Sequence, residues 1–360
     1  MKLPHRAAAA LGATLTATAV SLAVAVPAEA ATPGWRVVFS KHYGAATNFS
    51  GYLTAVAPSK LSLWAFGGND ISGGSPEIPV AEHWNGTAWS SSALPAAVTS
   101  SAQSSIEASS ASSPTDIWAV TQFGGFVLHW NGAWSVATQI PGSGQLTGVT
   151  AISSTNVWVF GSGGFTGGLG TWHYNGSTWT QQTGNAAGIA SASALSASNI
   201  WAIGSDGTAP QDAIVHYTGT AWQRDKAAAL AGLQFNRILA ISATNVWASA
   251  EIPAKGTVGF LMHFNGGSWT KITLPWTVNA GDPAPDGQGG IWLTAQDSSN
   301  RWWVAHRSAT GTWTRTSIGT TPTFLPTILR IPGTTSMWGA GSAPNGSGAN
   351  ATIWADGVIP

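Results

Sequence analysis

Six histidines recur in one local setting. They are His83 in "HWNGTAW", His129 in "HWNGAW", His173 in "HYNGSTW", His216 in "HYTGTAW", His263 in "HFNGGSW" and His306 in "HRSATGTW". Imidazole can ligate a metal, carry a proton or hydrogen-bond a turn. Zinc requires several ligands converging at about 2 Å. These histidines come one per repeat, with no cysteine anywhere and no carboxylate at a fixed offset. Facing sheets lie about 10 Å apart, too far for histidines on neighbouring sheets to share an ion. The pattern predicts a repeated hydrogen bond to a turn or neighbouring strand, with no metal and no cofactor.

A second motif precedes each histidine and occurs once more near the C-terminus. Its tryptophans are Trp64, Trp118, Trp158, Trp201, Trp247, Trp292 and Trp338, in stretches such as "STNVWVFG" and "ASNIWAIG". Each unit reads as four short strands. In one unit these are 146–152, 157–161, 169–174 and 177–182, with "NG" at 175–176 as the hairpin signal. Nothing outside the N-terminal segment shows a convincing helical period. Units of this length with four strands each predict an all-β fold, a β-propeller of seven blades with four antiparallel strands per blade. A large flat indole in each second strand is expected to fill the space between blades, burying roughly 150–250 Å² apiece.

The chain ends break the repeat. The last unit has strands near "TFLPTILRI", "SMWGAG" and "ATIWADG" but no fourth strand with its tryptophan. That strand reappears at the other end as "PGWRVVFS", with Trp35. The N-terminal strand is therefore expected to complete the last blade beside residues 350–356 and close the ring, which also implies a complete coding chain.

Residues 1–30 read as a signal peptide: Lys2 and Arg6, an apolar run from Ala7 to Val26, then Ala28-Glu29-Ala30. The propeller would occupy 31–360, secreted and extracellular, monomeric, with no membrane insertion after cleavage. Only 8% of residues are charged and the net charge is zero. Without a basic stripe to neutralise phosphates, nucleic acid is not an expected partner. The 21 tryptophans and absent cysteines mean that packing, not disulfides, must hold an exported fold.

The "NGxxW" turn partly resembles the Asp-box hairpin of sialidase-type propellers, with Asn in place of Asp and tighter spacing. Both motifs together resemble secreted bacterial β-propeller proteins built on S-x-x-D/N-V-W-A-V-G … H-W-N-G-x-x-W repeats, over residues 34–357. That resemblance implies an extracellular seven-bladed ring and no common activity.

Enzymes on such folds leave traces that are missing here. The four tyrosines and scattered arginines, such as Arg224, Arg237 and Arg330, form no sialidase pattern, and a Cys–Tyr radical centre has no cysteine. Acidic residues instead gather in connections. Asp70, Glu77, Asp206, Asp212, Glu251 and Asp297 fall between second and third strands, Asp225 and Asp282 between a fourth strand and the next first strand. Both connection types open on one face of a propeller, and loops on a rigid scaffold carry function. Trp276 and Trp303 lie outside the repeat register and could stack on sugars. The candidate ligand-binding residues are Trp276, Trp303, Asp206, Glu251 and Asp297. The expected function is a non-enzymatic binding module for an extracellular glycan or protein. The alternatives are a polysaccharide hydrolase or lyase using the loop carboxylates, or a spacer without a ligand.

Overall fold

The computed structural model describes residues 34–358 apart from 46–47, 71–76, 101–103, 162–168, 185–187, 206–212, 253–258 and 319–321. The chain divides into Met1–Ala30 and Ala31–Pro360. The signal-peptide segment lies outside the described residues, as do Asp206 and Asp212.

The chain is an all-β propeller. Its first run of strands is Phe49–Ser59, Ser62–Asp70, Glu77–Trp84 and Trp89–Ser91. Five four-stranded antiparallel sheets follow, over 106–139, 146–182, 188–224, 234–273 and 278–316. A last run, Phe324–Arg330, Met337–Asn345 and Gly348–Asp356, is joined on its outer side by Arg36–Lys41. That N-terminal strand pairs antiparallel with the last, Arg36 opposite Ala355 and Lys41 opposite Ala351. A single parallel bridge, Phe49 to Ala349, joins the first and last runs into one eight-stranded sheet. The opening strands of successive runs touch in chain order, and Phe324–Arg330 touches Phe49–Ser59. Single helical turns occur at Ala96–Thr99 and Ala228–Leu230.

Composition explains the radial order. Opening strands such as "IEASSASS" and "GIASASALS" carry small side chains, which suit the crowded centre. Second strands such as "DIWAVT" are wholly buried. Fourth strands such as "WTQQ" show polar residues to solvent.

The strand register sets six of the seven second-strand tryptophans opposite a histidine, as in Trp158 and His173, while Trp338 faces Ala355. The two rings stack, with centroids 4.0–4.6 Å apart in all six pairs. Each histidine Nε2 also bonds the residue that opens the second strand or, for His306, Asp286 in the turn that precedes it. The partners are Ser62 (3.1 Å), Asp116 (2.6 Å), Asn156 (3.0 Å), Asn199 (2.8 Å), Asn245 (3.0 Å) and Asp286 (2.8 Å). The histidines thus brace turns, as the repeat suggested. Losing the Asn156 partner leaves His173 half-satisfied, and Asn156→Ala should cost about 1 kcal/mol in denaturant unfolding. A cost below a few tenths would argue against the brace.

The indoles also tie sheet to sheet. Trp64 meets Trp134, Trp118 meets Trp179, Trp158 meets Trp222 and Trp201 meets Trp269, each with ring centroids 5.4–6.1 Å apart. The same relation recurs at the chain ends. Trp292 meets Trp35 of the N-terminal segment at 5.7 Å, and Trp338 meets Trp89 of the first run at 5.3 Å.

The outer hairpin differs from the sequence reading. Instead of a two-residue NG turn, Trp84 pairs with Trp89 around a four-residue loop. Asn85 Oδ1 accepts hydrogen bonds from the Thr87 and Ala88 N–H groups. Gly86 takes φ +94°, a left-handed conformation that a side chain there would strain. Asn175 and Asn265 repeat this brace. The Asn side chain closes the turn, so strand four starts two residues later than "NG" alone implies.

Candidate functional site

With the histidines engaged in packing, candidate chemistry must lie elsewhere. Among the described residues, no group of three His, Cys, Asp or Glu side chains could hold a metal ion.

The sequence-predicted ligand residues do not come together. Trp303 is 2% exposed, beneath the Trp276 edge at 5.1 Å and the Arg315 guanidinium at 4.1 Å. It offers no open face to a sugar, which corrects the stacking expectation. Trp276 is half-buried against Trp303 and Trp313. Asp297 braces its own turn, accepting from Ser299 N, Arg301 N and Arg301 Nε at 2.9–3.1 Å. Glu251 ends its strand opposite Gln234, half-buried. Asp225 likewise serves packing, accepting from Trp269 Nε1 at 2.7 Å.

Asp282 also needs correction. It lies inside the opening strand Val278–Pro285, not in a connection. Every opening strand shifts register near its start: at Tyr52/Thr54, Ile106/Ala108, Leu146/Gly148, Ile189/Ser191, Phe235/Arg237, Ala280/Pro283 and Phe324/Thr327. A bulge adds a residue and re-aims side chains. Here it brings Glu107, Thr147 and Asp282 to the wall of a central channel, with Arg237 and Thr327 just beyond a bulge. The cavity at this level measures about 350 Å³.

A second cavity of about 280 Å³ adjoins the first, sharing Leu53 and Phe324 with it, and is called the vestibule below. Asp70, Glu77, Ser105 and Phe49 complete much of its wall. Phe49 is 46% and Phe324 37% exposed, and Phe123, on a connection that opens on the same face, is 41% exposed. Away from the vestibule the channel continues between Ser109–Ser112, Val149–Ile152 and Ala192–Ser196.

The channel charges are unevenly satisfied. Asp282 accepts from Thr327 Oγ1 at 3.1 Å and from the Ile328 amide at 3.4 Å. Burial raises its carboxyl above the ordinary range; Arg237 and those hydrogen bonds oppose the shift without cancelling it. Glu107 is raised by burial and by Glu77, against the pull of Arg237. Among the described residues the Glu107 carboxylate has no hydrogen-bond or ion-pair partner. Arg237 donates from Nη1 to the Asn236 carbonyl at 3.1 Å and stays exposed. Glu77 accepts the Ser105 amide at 3.1 Å.

The histidines, by contrast, are depressed. Burial holds His83, His173, His216 and His263 below the ordinary imidazole range. The folded chain then binds fewer protons than the unfolded one between the lowered values and about 6.5. Their contribution to stability is complete above that window and is lost as pH falls through it. Imidazole titrations followed by NMR should place all four midpoints below about 6.5. A midpoint at or above that value for His173 would contradict the buried, neutral role.

Solved structures resemble this chain in fold. YCF48 bound to D1 peptide matches 91% of this chain and 97% of its own length, at 12% identity and a TM-score of 0.61. YCF48 from Cyanidioschyzon merolae matches 90% and 98%, at 14% identity and 0.58. A protein of unknown function from Dyadobacter fermentans matches 93% and 100%, at 10% identity and 0.52. At such identities the likeness is one of fold. No family model and no curated protein sequence matches.

Proposed function

We propose that this chain is an exported, seven-bladed β-propeller that acts as a non-enzymatic binding module. It takes an extracellular partner, protein or glycan, at the vestibule of the central channel. The blade count treats the eight-stranded sheet as two blades, and the N-terminal strand closes the last. The cyclic contacts of opening strands and the Trp292–Trp35 and Trp338–Trp89 pairs support that closure. Export rests on the sequence of residues 1–30.

The observation that carries the binding reading is the vestibule itself. Exposed Phe49 and Phe324 flank a cavity that opens onto half-buried, incompletely satisfied charges. Large exposed apolar groups beside polar rims mark interaction sites. The YCF48 structure with its D1 peptide is a propeller of similar fold holding a peptide. The hydrolase alternative that uses the loop carboxylates fits less well. Two carboxylates must flank a glycosidic bond, whereas Asp70 and Glu77 are opposite residues of one hairpin, on the same side of the vestibule.

The test is a glycan and peptide array probed with the mature chain and with Phe49→Ser/Phe324→Ser. Phe324 also meets the Trp302 ring edge-on at 5.6 Å, so the double variant is compared with the parent at equal folded fraction. Hits that the double variant loses support the vestibule. Hits retained by the variant, or an array without hits, would count against it.

A further inference from the structure

The charges inside the vestibule and channel narrow the ligand. Around the channel and vestibule stand four carboxylates, Asp70, Glu77, Glu107 and Asp282, against one guanidinium, Arg237. Asp282 is hydrogen-bonded by the neighbouring strand, and Arg237 pulls on it electrostatically. Glu107 faces the lumen from the 106–139 sheet without a hydrogen-bond partner among the described residues. Arg237, on the 234–273 sheet, lines the same cavity yet forms no ion pair with Glu107 among the described residues. A carboxylate taken partly out of water without a partner is costly, and a cation delivered by a ligand would remove that cost.

Resting on the vestibule as a binding site, we infer that the channel receives a lysine or arginine side chain from an extended segment of an extracellular protein. The cationic head reaches Glu107, while the aliphatic stem packs between Phe49 and Phe324. Long cationic side chains suit this arrangement because their stems are apolar and their heads are not. A charge-assisted hydrogen bond to Glu107 supplies much of the selectivity. Arg237 lowers the affinity, because it repels the incoming cation across the lumen.

The experiment uses saturation-transfer NMR on the mature chain with three probes: acetyl-Ala-Lys-Ala-amide, its norleucine isostere, and n-butylamine. The lysine peptide should bind and the norleucine peptide should not. Glu107→Gln should weaken the lysine peptide by about tenfold. Arg237→Gln should strengthen it several-fold, a change in the opposite direction that loss of folding cannot imitate. Phe49→Ser/Phe324→Ser should weaken the peptide and spare butylamine, which separates a peptide segment from a free amine. Binding should also fade as pH falls and Glu107 takes up a proton. Equal binding of the norleucine peptide, weaker binding in Arg237→Gln, or no response to Glu107→Gln would each overturn the inference. If the lysine peptide fails while an array hit still depends on Phe49 and Phe324, the cation inference falls and the vestibule stands. If array hits ignore those phenylalanines, the vestibule reading itself fails.

Discussion

Glu82→Ala is expected to lower the stability of the chain by about 3–5 kcal/mol and to loosen the N-terminal strand. Glu82 is 1% exposed, on the third strand of the first run. Its Oε1 accepts from Tyr43 Oη at 2.6 Å and Ser91 Oγ at 2.6 Å, and pairs with Lys41 Nζ at 2.7 Å. Lys41 ends the strand that pairs with Gly348–Asp356, so this carboxylate fastens the N-terminal segment to the neighbouring run. Burial, then Tyr52 and Glu82, push the Tyr43 phenol well above its ordinary range, so it remains a donor. Alanine would leave a lysine and two hydroxyls without their acceptor. Denaturant unfolding gives the magnitude, and hydrogen exchange at 36–41 should rise toward that of an unpaired strand. Ser91→Ala, which removes one donor, should cost only about 1 kcal/mol. A Glu82→Ala loss below about 1 kcal/mol, with slow exchange at 36–41, would contradict the latch.

The second large effect belongs to the indoles. Trp158→Ala should cost about 3–5 kcal/mol. Trp158 is 1% exposed, stacked on His173 at 4.2 Å and in contact with Tyr217 and Trp222 of the next sheet. Removing it opens a cavity that two sheets would have to close. Phenylalanine separates shape from polarity. Among the described residues Trp158 Nε1 is buried without a hydrogen-bond partner, whereas Trp247 Nε1 donates to Asn245 at 2.7 Å. Trp158→Phe should therefore be milder than Trp247→Phe by about 1 kcal/mol, because only the latter loses a hydrogen bond, although His263 still bonds Asn245. The reverse order would show that volume, and not the Asn245 bond, governs the site.

The propeller architecture was legible because its signals are local and repeated. A tryptophan in a strand, a histidine opposite it and an Asn at a turn each leave a fixed trace in sequence. The N-terminal strand was legible from one absence, the missing fourth-strand tryptophan after "WADG", which Trp35 answers. The site was harder to read. Glu107 sits in "IEASSASS", an unremarkable alternating strand, and only the bulge between Ile106 and Ala108 brings it to the channel wall. Arg237 and Asp282 reach the same cavity through bulges on other sheets, a convergence of residues up to 175 positions apart in sequence. The carboxylates that looked most available, such as Asp297, are held by their own turns, since Asp closes turns as readily as it binds ligands. Trp303 fell outside the repeat register and looked free. Yet its strand, Trp302–Arg307, turns that ring into the core beside Trp276.

The most direct test of the account is backbone hydrogen exchange on the mature chain, with and without the tightest partner from the arrays. The account predicts added protection at 49–54, 105–108 and 323–328, the strand segments around the vestibule and channel. The six outer hairpins, including 83–89, should stay unchanged. Protection centred on those hairpins, with none at the channel mouth, would contradict it.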